Sequence, residues 1–287
     1  MGETTAIAWT DATWNPGQGC RKVNEDCRGC YMYRDMKRYG KDPLHVHRSA
    51  PHTFNMPLRL KRPSRIFVCS WSDFFLPEHD AWRAEAWAII RRTPQHTYQI
   101  PTKRPERIRE CLPPDWGAGW PNVWLGASAG HQKAWDTFVP MLVELPAAVR
   151  WVSVEPQWGV ITPTADQLRA LSWVVVGGES GGAEARAFDL EWARLWIARG
   201  RGFGFATFIK QLGAVAAVDY HGVDRAWYGA RSQLGGVLEE RRPFLDSAGQ
   251  PPPGTLIRVR LADRSGANPA EWPEDLRVRE FPEVRRG

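Results

Sequence analysis

The chain has 287 residues, 43% of them apolar, and carries 38 Lys and Arg against 32 Asp and Glu for a net charge of +6. That is enough apolar material for one large α/β domain with an appendage. No run of 18 apolar residues offers a membrane span, and five cysteines without an apolar leader segment point to a cytoplasmic protein rather than a secreted disulfide scaffold.

The first apolar stretch, Ala6 to Thr10, is a weak strand candidate. It leads into W-N-P-G-Q-G-C-R-K-V-N-E-D-C-R-G-C-Y-M-Y, a Gly-rich loop that holds Cys20, Cys27 and Cys30 and runs into a helix. Three thiolates this close can converge on one soft metal centre, an Fe–S cluster, zinc or cuprous copper. With three protein ligands an Fe–S cluster keeps one iron open for a substrate or cofactor, whereas a structural zinc site needs a fourth ligand, here His45 or His47. Cys69 and Cys111 stand apart and read as buried thiols.

Short apolar runs then recur at 65–70, 96–101, 122–128, 150–156, 172–180 and 205–211. Their β-branched, two-sided character suits parallel strands covered by helices. The helices are expected over 79–92, 131–145 and 188–199, with Pro140 kinking or interrupting the second. Counted together, six or seven βα units predict a complete or partial (β/α) TIM-type barrel over 1–213, with 214–287 as an irregular extension packed on it. Nearly every run ends in polar residues: Ser70, Ser72 and Asp73; Lys103 and Arg104; Ser128; Glu155; Gly177, Gly178, Glu179 and Ser180; Lys210 and Gln211. In a parallel barrel these ends meet at one mouth, the face that carries chemistry.

The positive charge concentrates between Arg21 and Arg109, with smaller groups at Arg199 and Arg201 and at Arg285 and Arg286, and it suits either a polyanion or a solvated basic surface. In a barrel, Arg59, Lys61, Arg62 and Arg65 fall below the sheet, and only Lys103, Arg104, Arg107 and Arg109 reach the mouth. Sixteen tryptophans are mostly core material, with Trp14, Trp71 and Trp158 at loops where a base can stack.

The opening W-T-D-A-T-W-N-P with C-x6-C-x2-C, followed by I-F-V-C-S-W-S-D-F-F, H-T-Y-Q-I-P-T-K-R-P-E-R, N-V-W-L-G-A-S, S-V-E-P and W-V-V-V-G-G-E-S-G, resembles the phage-associated three-Cys-motif family of radical-SAM-like proteins over about Trp9 to Gly213. The resemblance implies a [4Fe–4S] cluster on Cys20, Cys27 and Cys30, S-adenosylmethionine on the open iron, and reductive cleavage to a 5′-deoxyadenosyl radical. It also implies, for some members, a dedicated three-Cys-motif partner protein. The spacing departs from the common C-x3-C-x2-C, and Gly29 replaces the aromatic residue before the last Cys, with Tyr31 and Tyr33 following instead.

A sulfonium with an amino-acid tail requires a carboxylate for its ammonium, a cation or N–H groups for its carboxylate, and polar contacts to its ribose. Lys103, Glu155 and Glu179 are therefore the candidate catalytic residues, and Ser70, Ser72, Asp73, Ser128, Gly177, Gly178 and Lys210 the candidate cofactor-binding ones. The G-G-E triplet expected after the second strand comes late, at Gly177 to Glu179, so Asp73 is the substitute for the amine contact. Three function classes remain open: a radical enzyme acting on a nucleic acid or nucleotide, a metal-stabilised nucleic-acid-binding module, and a peptide-modifying enzyme working with the partner protein.

Overall fold

The computed structural model describes residues 4–180, 185–219, 256–259 and 261–283. Its frame is one all-parallel sheet of seven strands in sequential order: β1 (Ala12–Trp14), β2 (Arg65–Val68), β3 (Thr97–Thr102), β4 (Val123–Ser128), β5 (Val149–Val154), β6 (Trp173–Gly177) and β7 (Ala206–Gln211). Registers such as Ala12↔Ile66, Tyr98↔Val123 and Trp151↔Trp173 are parallel throughout. Among the described residues β1 and β7 do not pair with each other, so the sheet is a curled half-barrel with two edges.

Alternation along the strands decides which residue faces which layer. In β4 the residues Val123, Leu125 and Ala127 belong to the large core beneath the helices, whereas Trp124 belongs to a second cluster on the opposite, concave face. Every strand of a sheet covered on both faces needs apolar residues at both parities, which explains the unbroken runs in the sequence.

The concave face is plugged by aromatic rings. Trp9, Trp124, Trp151, Trp173 and Phe208 form its centre, with Phe67 and Phe281 against them. Trp151 and Trp173 lie 5.0 Å apart, and Trp9 meets Trp151 edge-on at 5.4 Å. Gly126 makes room for this layer, because a Cβ there would sit 2.5 Å from the Trp151 ring.

The remaining face is covered by α2 (Asp80–Arg92), α3 (Gln132–Val143), α4 (Ala165–Ala170) and α5 (Leu190–Phe203), while α1 (Tyr31–Arg38) follows the cysteine loop. Helix α3 buries Ala134, Trp135, Phe138, Val139 and Leu142 on one stripe. It runs through Pro140, which lies outside that stripe, so the expected interruption does not occur. Helix α4 escapes the sequence reading but carries a full capping box between Thr164 and Gln167. Helix α5 starts later than expected, because Phe188–Asp189 instead form a short strand beside Ala216–Asp219. Asp189 then caps the helix, and Gly204 ends it at φ +81°.

The first strand also lies elsewhere than expected. The segment Ala6 to Thr10 does not pair; Thr10 turns back on Ile7, and Ile7 and Trp9 enter the aromatic plug, so their apolar character serves the plug rather than a strand. Beyond residue 213, Ala216–Asp219 pairs antiparallel with Leu256–Val259, and Trp272 and Leu276 join the core. Phe281 stacks on Trp173 at 5.5 Å, with the Arg65 guanidinium 3.9 Å from its ring. The Pro-rich stretch 250–254 and Arg285 and Arg286 lie outside the described residues. No helix among the described residues is long and apolar enough to cross a membrane.

Removing the central ring of the plug leaves a cavity that the stiff sheet cannot collapse. Trp173→Ala is expected to cost about 3–5 kcal/mol. Gly126→Ala is expected to lower stability as well, through the clash with Trp151. Urea titrations followed by near-UV circular dichroism would measure both, and wild-type midpoints would refute the plug's role.

Candidate functional site

The concave face changes character along the strands. Moving two residues at a time toward the C-terminal ends, β5 passes from Trp151 to Ser153 and on to Glu155, β4 from Trp124 through Gly126 to Ser128, and β7 from Phe208 to Lys210. Above the aromatic plug the same face thus becomes polar. It opens into a cavity of about 160 Å3 lined by Lys103, Ser128, Ser153, Glu155, Gly178, Glu179 and Lys210, with Cys30 and Tyr31 closing it from the cysteine loop.

Within this cavity Lys210 pairs with Glu155. Glu179 accepts hydrogen bonds from the Arg186 backbone at 3.1 Å and side chain at 2.8 Å. Burial raises its pKa, but those hydrogen bonds and the Arg186 charge outweigh burial and hold the carboxyl below the usual range. Among the described residues Lys103 Nζ makes no hydrogen bond or ion pair. Burial disfavours its charge, yet Cys27, Cys30, Asp26 and Asp73 together prevail and push its pKa up.

The cysteine loop is fixed to the sheet by Asp26, which sequence reasoning did not single out, and by Ser72 and Arg104, for which it expected other roles. Asp26 is 4% exposed and accepts from Gly130 N at 3.1 Å and from Trp158 Nε1 at 2.8 Å, tying the loop to the ends of β4 and β5. Its acidic neighbour in the motif, Glu25, is exposed, so the only signal was an acid between two cysteines. The loop start is held by Ser72, which donates to the Gly19 carbonyl at 2.6 Å, and by Arg104, which donates to the Arg21 carbonyl at 2.7 Å. Glu179 Oε1 would lie 2.1 Å from a Cβ at Gly29, so a side chain there would displace the Glu179 carboxylate from its place beside the loop.

The three motif thiols share neighbours, since all three raise the pKa of Tyr33. Cys20 lies 4.0 Å from Arg104 Nη1. Burial, reinforced by Asp73 and opposed by Arg104, pushes its thiol up to about 12, so the free thiol keeps its proton at neutral pH and any metal bound there must displace it. Among the described residues no three His, Cys, Asp or Glu side chains are grouped to hold a single metal ion. His45 and His47 stack on each other at 5.0 Å. Cys69 and Cys111 are core residues, as expected.

Other expected site residues are placed apart from the cavity. Asp73 is 6% exposed and accepts from Thr102 Oγ1 at 2.7 Å, Phe75 N at 3.0 Å, Lys103 N at 3.0 Å and Arg104 Nη1 at 3.2 Å. It therefore organises the loop carrying Lys103 and does not face the cavity. Ser70 accepts from Asn15 Nδ2, and its carbonyl accepts from Tyr31 Oη. Gly177 is buried at the end of β6, packed on Gln211.

The Lys103 to Arg109 group does not form the expected basic surface. Arg104 is buried against Asp73, and Arg107 is spent on Asp80 and Glu110. Of the three tryptophans considered for stacking, Trp14 is fully buried and donates to the Phe54 carbonyl, so it cannot meet a base. Trp71 contacts Tyr39, and Trp158 is held between Asp26, His131 and Arg186.

Residues 4–243 match a family model described as a protein of unknown function (DUF5131). No curated protein and no solved structure matches the chain.

His79 supports the loop from behind. Since the Ser72 hydroxyl donates to Gly19, it accepts from His79 Nε2 at 2.9 Å, which puts a proton on Nε2. Burial, opposed by Asp73, pushes its pKa down from 6.5 to about 4. On acidification the unfolded chain therefore takes up this proton first. The stabilisation is complete above pH 6.5 and is lost as the pH falls toward about 4, a loss of about 3 kcal/mol over that window. His79→Gln, which keeps a donor to Ser72 but cannot titrate, is expected to flatten the pH dependence of urea stability there.

Proposed function

The chain belongs to the DUF5131 family of proteins of unknown function, and for this member we propose a radical S-adenosylmethionine-type iron–sulfur enzyme acting on a nucleic acid or nucleotide. The observation that carries the reading is the position of the cysteine loop. It spans the C-terminal ends of an all-parallel curled sheet, with Cys30 lining the same cavity as Lys103, Glu155, Glu179 and Lys210. We read the sheet as a partial TIM-type barrel, whose C-terminal mouth is the place for catalysis.

The donor set fits a cluster. Three soft thiols lie on one loop, and a cubane would take each on a different iron. When bound, the cluster and its sulfonium ligand supply a one-electron reductive cleavage of a carbon–sulfur bond.

The chain's own residues do the binding and the exclusion. The unpaired Lys103 ammonium can take the carboxylate of the amino-acid tail and also offset the negative charge that three thiolates bring. Glu155, oriented by Lys210, and Glu179, oriented by Arg186, present carboxylate oxygens to an ammonium. Ser128 and Ser153 line the same cavity and can supply hydroxyls for ribose contacts. Beneath them the aromatic plug keeps water from entering through the base of the sheet, which protects a reactive intermediate from quenching.

Anaerobic reconstitution tests the reading. Wild type is expected to retain iron and sulfide with broad visible absorption, Cys20→Ala, Cys27→Ala and Cys30→Ala to lose both, and Cys69→Ala and Cys111→Ala to keep them. Full iron and sulfide in Cys27→Ala, or a colourless protein retaining only zinc, would overturn it. With dithionite, the loaded wild type is expected to release 5′-deoxyadenosine from S-adenosylmethionine. Lys103→Met is expected to keep its iron but bind S-adenosylmethionine at least tenfold more weakly, in line with the ~1.5–3 kcal/mol of a charge-assisted hydrogen bond.

A further inference from the structure

A second and larger cavity, of about 610 Å3, opens on the outer side of the cysteine loop. It shares Gly29, Cys30, Arg34 and Glu179 with the inner cavity, so the two adjoin across these residues. Its walls bring together Lys22, Arg28, Arg34, Lys37 and Arg186, and Glu179 is its one acid among the described residues.

These cations are poorly compensated. Glu179 is already paired with Arg186 at 2.8 Å, and one Arg186 guanidinium nitrogen is buried without a partner. Arg34 has only an exposed contact of 3.8 Å with Asp35. The Arg28 and Lys37 side chains are exposed and make no hydrogen bond or ion pair among the described residues. Lys22 lies 5.0 Å above the Tyr33 ring. Lys22, Arg28, Arg34 and Lys37 face one groove and repel each other, and their mutual repulsion is relieved by an anion with several charges. The groove is also larger than one phosphate needs, and Tyr33 lines it with an aromatic surface. A peptide carboxylate surface would use the charge without the ring.

We propose that this groove binds the phosphodiester backbone of a single-stranded nucleic acid and passes one nucleotide toward the inner cavity. The direction of that passage rests on the radical-enzyme reading; the binding itself does not. A base paired in a duplex must first be unpaired and unstacked, at a cost in free energy, before it can reach past Gly29 and Cys30, so an unpaired strand is preferred. The groove replaces the Lys103 to Arg109 segment as the basic face of the mouth, since those arginines are spent on internal partners.

The test is the salt dependence of binding of a fluorescent single-stranded oligodeoxynucleotide, measured on reconstituted and on cluster-free wild type. Phosphate contacts from Lys22, Arg28, Arg34 and Lys37 predict a logarithmic salt slope of about −3. Arg28→Gln combined with Lys37→Gln is expected to reduce its magnitude by about 1.4, at roughly 0.7 per contact. Lys61→Gln with Arg62→Gln, at the opposite end of the sheet, should leave it unchanged. All four substituted residues are exposed, and unaltered thermal melts would show that any loss is not unfolding.

An unchanged slope in the Arg28/Lys37 variant would overturn the proposal. So would a loss in the Lys61/Arg62 variant, equal binding of a mononucleotide or of a Glu-rich peptide, or preference for the matching duplex. Because iron retention is scored separately, a protein that binds the strand but holds no cluster would refute the enzyme reading alone, and a cluster-bearing protein that ignores the strand would refute this inference alone.

Discussion

The site depends on a filled concave face. A curled parallel sheet whose first and last strands do not meet has no barrel closure to hold its shape, and the rings of Trp9, Trp124, Trp151, Trp173 and Phe208 occupy the space that closure would otherwise define. Large aromatic side chains do this efficiently because each buries a wide area and packs edge-on against the next. The rings come from the start of the chain, from four strands and, through Phe281, from its far end. The plug thereby joins distant segments and sets a floor on which the polar residues of the mouth stand.

Above that floor, the geometry is governed by two buried carboxylates with different tasks. Asp73 gathers Thr102, Lys103 N, Phe75 N and Arg104, which fixes the loop after β3 and directs Arg104 toward Cys20. Asp26 reaches from the cysteine loop to Gly130 N and Trp158. Each is fully engaged by donors, which is the condition under which burying a carboxylate is tolerated. The cysteine loop is therefore clamped on two sides, from β3 through Arg104 and from β4 and β5 through Asp26.

The charge distribution follows from these clamps. Arginines that looked like a substrate surface in the sequence are consumed within the chain: Arg104 by Asp73, and Arg107 by Asp80 and Glu110. The cations left over collect on the outer wall of the cysteine loop, from segment 22–37, beside the Arg186 that Glu179 holds. Net charge alone could not have located them, because a basic residue serves a ligand only when no internal acid claims it.

The sequence by itself determined the parallel α/β class, six of the seven strands and the polar ends of those strands, because both signals are local: two-sided apolar runs, and the residue that follows each run. Lys103, Ser128, Glu155, Gly178, Glu179 and Lys210 accordingly do line one cavity with Cys30. Tertiary structure alone decided the rest. Whether Ala6 to Thr10 pairs or plugs depends on the ring space left by Trp151 and Trp173, and whether Asp73 faces a ligand depends on donors from Thr102 and Arg104 thirty residues away. The role of Asp26 depends on Trp158, 132 residues along the chain. Such contacts are set by how strands of different loops converge, and no window of sequence contains both partners.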